Sequence, residues 1–592
     1  MEFSFLEALN KDQKAAVLHT KGPAIVLAGA GSGKTRVLAY KAMYLLASKT
    51  TQAEHILMLT FTNKASKEMK LRIGKYIDES YKPQAITATT FHTFCANLLR
   101  RYGTTGKVDR NFNIYDGNDQ RDIAKMVIEE SSSKLKLSPN GLLFKISEAK
   151  NNLFTPQEIV NKSRNNIFEE YFAALYRDYQ NKLIEANALD FDDLLFETVK
   201  LLTERKNVLE NLQNQYQYLL IDEYQDTNHA QYKIAKLIGE KNRNIMIVGD
   251  FSQSIYSWRG ADFHNLEKFQ RDFPESKVYN LEQNYRSTQN ILDFAYNIIS
   301  QNTTHPILKL WAESATGEEV MVTSHDTAER EALFVLNKVH ELNLNGEFAL
   351  SEMAVLYRTN AQSRILEEVC LNLGIPYKIY GGTRFYDRKE IKDLLAFLRL
   401  ILNPKDTVSI ERLGKLGKRR GAAIMALIAK IKPEGKPQEV LQLLLKETPY
   451  LELFDEHDAE DTARIENIQE LVNVAYSYET LREFLDSVAL IESGYELENL
   501  DGDKLNLMTM HAAKGLEFGA VFIVGAEEGI IPHSRSINSL SELEEERRLF
   551  YVGITRAKRE LYITFANKRT LYGRTQYNMP SQFLNREESE EF

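Results

Sequence analysis

Ala24-Ile25-Val26-Leu27-Ala28-Gly29-Ala30-Gly31-Ser32-Gly33-Lys34-Thr35 runs from an apolar, strand-like pentapeptide into a glycine-rich turn, and a helical pattern begins at once after it. Strand, turn and helix in that order predict a phosphate-binding loop. The glycines let backbone N–H groups close around the β- and γ-phosphates, and the helix points its positive end at them. Lys34 adds a charge and the Thr35 hydroxyl reaches Mg²⁺. The loop pattern asks for glycine where Ala28 stands, but the strand-loop-helix context that the mechanism needs is present. ATP or GTP is therefore expected, and the purpose of its energy is left open.

At 592 residues the chain is too long for one hydrophobic core. With 43% hydrophobic and 27% charged residues it reads as globular throughout. Two cysteines, Cys95 and Cys370, make neither a disulfide framework nor a zinc site, which points to a reducing compartment. There is no run of about 18 apolar residues, and Met1 to Thr20 lacks the basic and apolar regions of a signal peptide. A cytoplasmic protein without a membrane partner is expected. The net charge of −9 argues against coating nucleic acid with the whole surface and leaves room for a local basic groove.

Short apolar runs recur between helical stretches at Ile56–Leu59, Ile86–Thr89, Tyr218–Ile221, Ile245–Val248 and Val278–Tyr279. A second series follows at Met353–Tyr357, Lys378–Tyr380, Leu505–Met508, Val521–Val524 and Leu561–Ile563. Unbroken apolar strands alternating with helices predict parallel sheets covered on both faces, hence two α/β lobes, only the first with a phosphate loop. Each series is interrupted by a polar helical stretch. The reading divides the chain into a first lobe at 1–107 and 191–283 around a helical insertion at 108–190, and a second lobe at 284–383 and 504–585 around an insertion at 384–503, with a charged tail at 586–592.

The strand ending at Ile221 delivers Asp222-Glu223. At the carboxyl end of such a strand, a nucleotide hydrolase puts one carboxylate, here Asp222, on Mg²⁺ and uses the next, Glu223, to align and deprotonate the attacking water. Another strand runs out into Gly249-Asp250-Phe251-Ser252-Gln253-Ser254-Ile255-Tyr256-Ser257-Trp258-Arg259. Gln253 stands where a γ-phosphate would sit. Tyr256, Trp258 and Arg259 interleave rings with a cation, as a single-stranded nucleic acid requires, since each base-ring stack is worth about 1–3 kcal/mol whatever the base.

These stretches, with Thr60-Phe61-Thr62-Asn63, Thr90-Phe91-His92-Thr93, Leu189-Asp190-Phe191-Asp192-Asp193, Asn284-Tyr285-Arg286-Ser287, Leu356-Tyr357-Arg358-Thr359-Asn360, His511-Ala512-Ala513-Lys514-Gly515-Leu516-Glu517 and Gly553-Ile554-Thr555-Arg556, resemble in collinear order the motifs of superfamily 1A DNA helicases of the UvrD/Rep/PcrA type. The family tolerates alanine at Ala28. The resemblance implies two RecA-like lobes with parallel sheets, each interrupted by a mainly helical insertion. It implies an ATP hydrolase and DNA helicase that uses Mg²⁺ and moves 3′ to 5′ on single-stranded DNA.

Residue by residue, the resemblance carries over the nucleotide loop Ala28, Gly29, Ala30, Gly31, Ser32, Gly33, Lys34 and Thr35, with Arg36 nearby. It assigns Gln13 to the adenine edge, Tyr285 to stacking on adenine, Glu517 to the ribose, and Arg286 and Arg556 to the transferring phosphoryl group as arginine fingers. Asn10 to Gln13 also fits a helix capping box. Ser541-x-x-Glu544 fits another, at the start of the helix leading to Arg556, which makes Glu544, Glu545 and Glu546 structural. The nucleic-acid track is implied to be Phe61, Thr62, His92, Phe191, Tyr256, Trp258, Arg259, Arg358, Asn360 and His511. Phe61 and Thr62 stand at a strand-to-helix exit, where backbone amides hold a phosphate.

The implied partners are single-stranded DNA, its junctions with duplex, and proteins of repair or replication, for a monomer or weak dimer. The second insertion is shorter than in relatives, and Lys415-Leu416-Gly417-Lys418-Arg419-Arg420 stands where the family has a duplex-contacting hairpin; its cations suit either phosphate or solvent. A translocase that strips proteins from single strands, and a nucleotide-switched clamp, are the alternative readings.

Overall fold

A computed structural model of the chain describes residues 3–76, 82–131, 137–162, 166–313, 316–455, 458–494, 502–571 and 574–584. The charged tail at 586–592 lies outside the described residues. The chain divides into two units, Met1–Tyr285 with Thr303–Glu313, and Arg286–Asn302 with Ser314–Phe592.

In the first unit a six-stranded sheet runs in the order Thr87–Thr90, Ile56–Thr60, Tyr218–Ile221, Ile245–Gly249, Ala24–Ala28 and Lys277–Leu281, with every neighbouring pair parallel. The inner strands show no polar alternation because both faces are covered, whereas the edge strands Thr87–Thr90 and Lys277–Leu281 are partly exposed. Alternate residues feed separate cores. Ile25, Leu57, Leu219 and Ile247 pack with Phe94, Leu194 and Leu201, whereas Val26, Met58, Leu220 and Met246 pack with Val37, Leu38 and Met43.

The first insertion is built from the helices Gly117–Glu130, Pro139–Asn151, Pro156–Lys162 and Ile167–Glu185. They enclose their own core of Ile123, Leu142, Ile146, Phe172 and Tyr179. The insertion is not wholly helical: Asn113–Ile114 pairs in parallel with Ala188–Leu189 where the chain enters and leaves it. Two-residue strands are too short to show a period.

The second unit's sheet runs in the order Met321–Thr327, Ala557–Leu571, Phe518–Ile523, Met353–Tyr357, Leu505–Thr509 and Tyr377–Ile379, again parallel, with Arg574–Tyr577 folded back antiparallel on Ala557–Leu571. Its edge strand Met321–Thr327 escaped the sequence reading because it is largely polar, with Met321 and Val322 exposed. The second insertion consists of helices from Lys389–Leu402 through Leu481–Gly494 around Leu394, Phe397, Leu441, Leu471 and Phe484.

One segment expected within the second lobe belongs to the first unit. Trp311–Ala312 pairs with Gln283–Asn284. The Leu310 side chain packs so closely on Gly29 that a Cβ there would lie 2.2 Å from it. No helix among the described residues is long and apolar enough to cross a membrane.

Candidate nucleotide site and nucleic-acid track

Gly31 and Gly33 take φ values of +66° and +86°, the left-handed region that the turn into helix Lys34–Ala47 requires. The loop carbonyls are engaged one by one. Ser32 Oγ donates to Gly29 O at 2.8 Å, Asn284 Nδ2 to Ala30 O at 2.6 Å, the Tyr285 amide to Gly31 O at 3.0 Å, and Gln13 Nε2 to Ser32 O at 2.8 Å.

Buried Gln13 serves two structures at once. It completes the capping box with Asn10, its amide N–H donating to Asn10 Oδ1 at 2.8 Å and its Oε1 accepting from the Asn10 amide at 3.2 Å. The same side chain then braces the loop. Asn10 Nδ2 reaches the Tyr285 hydroxyl at 2.9 Å, and Tyr285 is 52% exposed. Arg36 donates to Ala8 O at 2.6 Å and lies over the Tyr40 ring.

The acidic pair sits beside the loop. Thr35 Oγ1 donates to Asp222 Oδ2 at 2.9 Å. Burial and the adjacent Glu223 push the Asp222 carboxyl up to about 7, against the pull of Lys34 and Thr35. A hydroxyl and a carboxylate side by side are hard oxygen donors of the kind Mg²⁺ takes when phosphates complete its shell. Glu223 holds φ at +50°, a conformation that costs a non-glycine residue about 1–3 kcal/mol and persists where surroundings over-determine it.

Those surroundings include a residue the sequence reading passed over. Gln225 Nε2 donates to Glu223 Oε2 at 2.5 Å, and its Oε1 accepts from the Asp250 amide at 3.0 Å. Asp250 in turn accepts from Gln253 Nε2 at 2.7 Å. Gln225 thus ties the acidic pair to the Gln253 turn. Gly249 is required for the approach, since a Cβ there would stand 2.7 Å from Gln225 Oε1. Lys34 Nζ lies 4.0 Å from Glu223 Oε2.

In the second unit, Arg286 Nε donates to Glu517 Oε2 at 2.8 Å and Nη1 to Thr555 O at 3.1 Å. Lys558, also missed, pairs with the other Glu517 oxygen at 2.8 Å. Against its burial, Lys558 and Arg286 hold the Glu517 carboxyl below the usual range. Arg556 is 1% exposed, with Nε on Val552 O at 2.9 Å and Nη1 on Leu516 O at 3.2 Å. The helix before it, Leu540–Ile554, is capped by Ser539 rather than Ser541. Ser539-x-x-Glu542 fits the same capping pattern two residues earlier.

The first unit gathers the track's rings into two groups. Phe61 stacks on Tyr256 with centroids 5.9 Å apart and planes at 9°, and Tyr256 meets Trp258 edge-on at 6.4 Å. His92 meets Phe191 edge-on at 6.0 Å. Phe61, Trp258 and Phe191 are exposed, an unusual state for large rings. Burial lowers the His92 pKa, so at neutral pH it is an uncharged ring. Thr62 Oγ1 accepts from the Ala65 amide at 3.1 Å. The Arg259 side chain lies outside the described residues.

In the second unit Arg358 is held in a two-pronged ion pair with Glu546, at 3.0 Å from Nε and 2.7 Å from Nη2. Against burial, Arg358, the His533 amide and His511 keep Glu546 ionised below the usual range. Asn360 offers its carbonyl to Arg388 Nη1 at 3.0 Å.

The family model for the UvrD/REP helicase N-terminal domain matches residues 9–274, and that for the UvrD-like helicase C-terminal domain matches 279–447 and 425–568. The ATP-dependent DNA helicase PcrA of Bacillus subtilis (strain 168) is 41% identical over 98% of this chain and 85% of its own length. Proteins of the same name from Staphylococcus epidermidis (strain ATCC 12228 / FDA PCI 1200) and Staphylococcus aureus (strain NCTC 8325 / PS 47) are each 40% identical over 98% of this chain and 86% of theirs. With two RecA-like parallel sheets, one phosphate loop and an acidic pair beside it, the chain belongs to the UvrD/Rep family of superfamily 1A helicases.

Proposed function

We propose that this protein is an ATP-driven DNA helicase that moves 3′ to 5′ along single-stranded DNA and separates duplex at junctions, in DNA repair or replication restart. One observation supports the reading above others: Gln225 joins Glu223 to the Asp250–Gln253 turn, and the same loop continues into Tyr256 and Trp258. Hydrolysis and strand contact thereby share one short segment.

In this reading Lys34 and the loop amides hold the phosphates of ATP, and Tyr285, Gln13, Arg36 and Glu517 serve its adenosine. Thr35 and Asp222 would hold Mg²⁺, which when bound offsets the charge of the β- and γ-phosphates. Glu223, fixed by Gln225, aligns a water and takes its proton, and Gln253 senses the γ-phosphate. Arg286 and Arg556 answer the negative charge that develops on the phosphoryl group, a role worth about 10³–10⁵ in rate. Phe61, His92, Phe191, Tyr256 and Trp258 stack bases, with Thr62, Arg259, Arg358, Asn360 and His511 along the strand.

ATPase measured with and without single-stranded DNA, alongside unwinding of duplexes bearing 3′ or 5′ tails, tests all of this. DNA-stimulated hydrolysis with unwinding from a 3′ tail is expected. Absence of stimulation would refute the motor, stimulation without unwinding would favour a stripping translocase, and preference for a 5′ tail would reverse the polarity.

A further inference from the structure

Helix Pro139–Asn151 of the first insertion ends in two buried polar residues that no nucleotide or strand contact explains. Lys150, with a fully buried side chain, pairs with Asp190 at 2.6 Å and with Asp193 at 2.8 Å. Asp190 and Asp193 form the capping box of helix Phe191–Glu204, so Lys150 grips the turn that presents Phe191. Tyr179 adds its hydroxyl to Asp190 at 3.0 Å and Gln180 its amide to Asp193 at 3.0 Å, which completes the cluster from within the insertion.

Asn151 reaches a second segment as well, while its Nδ2 donates to Ser147 Oγ at 3.2 Å. Its Oδ1 accepts from Asn228 Nδ2 at 2.6 Å, and both residues are buried. Asn228 ends the segment that begins at Glu223, and it caps helix His229–Gly239. Asn265 Nδ2 locks the same corner by donating to Thr227 O at 2.8 Å. The Asn151 amide also lies against Gly260, where a Cβ would stand 3.3 Å from its Nδ2; Gly260 closes the turn that carries Trp258, at φ +84°.

Two consecutive side chains therefore touch the Phe191 turn, the Trp258 turn and the segment leading from Glu223. Buried hydrogen-bonded polar groups of this kind hold one geometry, because leaving any member unpaired carries its full desolvation cost. We propose that Lys150 and Asn151 are positioning residues that couple occupancy of the strand track to the setting of Glu223, making the first insertion part of the hydrolysis switch. The inference rests on the proposed DNA-stimulated ATPase.

The test attacks the Asn151–Asn228 hydrogen bond from both ends in the full chain. Asn151→Ala removes the acceptor. Asn228→Ser removes the amide donor but keeps a capping oxygen for the Gln231 amide. Basal ATPase, ATPase saturated with oligo-deoxythymidine, the oligonucleotide concentration at half-maximal stimulation and thermal melting are measured for each.

Both variants are expected to keep basal rate and half-saturating DNA concentration while losing at least about fivefold in maximal stimulation, the lower range of an allosteric coupling. The double variant is expected to lose no more than either single one. Full stimulation in either variant would overturn the inference, as would a fall in melting temperature with parallel loss of basal rate in both, which marks a structural role. If the unaltered protein is itself unstimulated by DNA, the proposed function fails, an outcome distinct from the variants matching a stimulated parent.

Discussion

The two sheets run in the same parallel manner, yet their exits are wired differently. In the first unit the strand ends lead to Asp222, pushed up to about 7 beside a hydroxyl, to Glu223 in a left-handed backbone, and to large rings left exposed. In the second, strand Met353–Tyr357 runs into Arg358 locked on Glu546, and strand Ala557–Leu571 carries Arg569 between Glu331 and Glu527, each at 2.7 Å. Buried ion pairs brace the first unit as well, as Lys150 on Asp190 and Asp193 shows, but at its strand ends the acidic groups lie beside the phosphate loop. Equal architecture does not imply equal work: Glu223 has Lys34 at 4.0 Å, whereas Arg358 and Arg569 hold their carboxylates at 2.7 Å.

That contrast is exposed most sharply by carboxylate changes on each side. Glu223→Gln should lower turnover by about 10²–10⁴ while nucleotide binding survives, since only proton transfer and alignment are lost. Steady-state ATPase beside a nucleotide titration reads both. Unimpaired turnover would remove Glu223 from the chemistry.

In the second unit the matching change is Glu527→Ala, which strips a fully buried partner from Arg569. Removing one member of a buried pair costs about 3–5 kcal/mol. The urea unfolding midpoint should therefore fall while basal turnover per folded molecule holds. If turnover fell and stability did not, the division between the units would be wrong.

Trp258→Ala should weaken single-strand binding by about 1–3 kcal/mol, the worth of a lost stack. Fluorescence anisotropy with labelled oligo-deoxythymidine measures it, and unchanged affinity would remove Trp258 from the track.

The smallest effect concerns His92. Burial lowers its pKa in the native state, so below the ordinary value of about 6.5 the unfolded chain binds more protons than the folded one, and stability falls as pH drops. Above that value the group contributes no slope. His92→Asn should lose less stability than the parent between neutral and mildly acidic pH, by less than about 1.4 kcal/mol per pH unit. Equal slopes would mean that the ring accepts its proton freely in the folded state.

The phosphate loop, the Asp222-Glu223 pair and the central strands were legible because each is written in adjacent residues, as a glycine spacing, a strand end or a run of apolar side chains. Partners that complete the site were not. Arg358 and Glu546 stand 188 residues apart and Arg286 and Glu517 stand 231 apart, and no local period connects them. Gln225 sits inside a legible motif but acts on Asp250 at the end of the neighbouring strand, which only folding reveals. Thr303–Glu313 eluded the reading for a similar reason: a chain that crosses back to an earlier unit leaves no mark in its composition.

The small parallel pair of Asn113–Ile114 with Ala188–Leu189 gives the first insertion a single doorway, with its own core beyond it. An element with its own core, held to the rest of the unit by this pair and by the Lys150 and Asn151 contacts, is a candidate for opening as its own cooperative unit, below the free energy of global unfolding. Under the coupling proposed for Lys150 and Asn151, such an opening unhooks the strand track from Glu223 while the nucleotide loop, braced by Gln13, Asn284 and Tyr285, stays intact. Mild heat or denaturant should then turn a DNA-stimulated enzyme into an unstimulated one before it stops hydrolysing ATP.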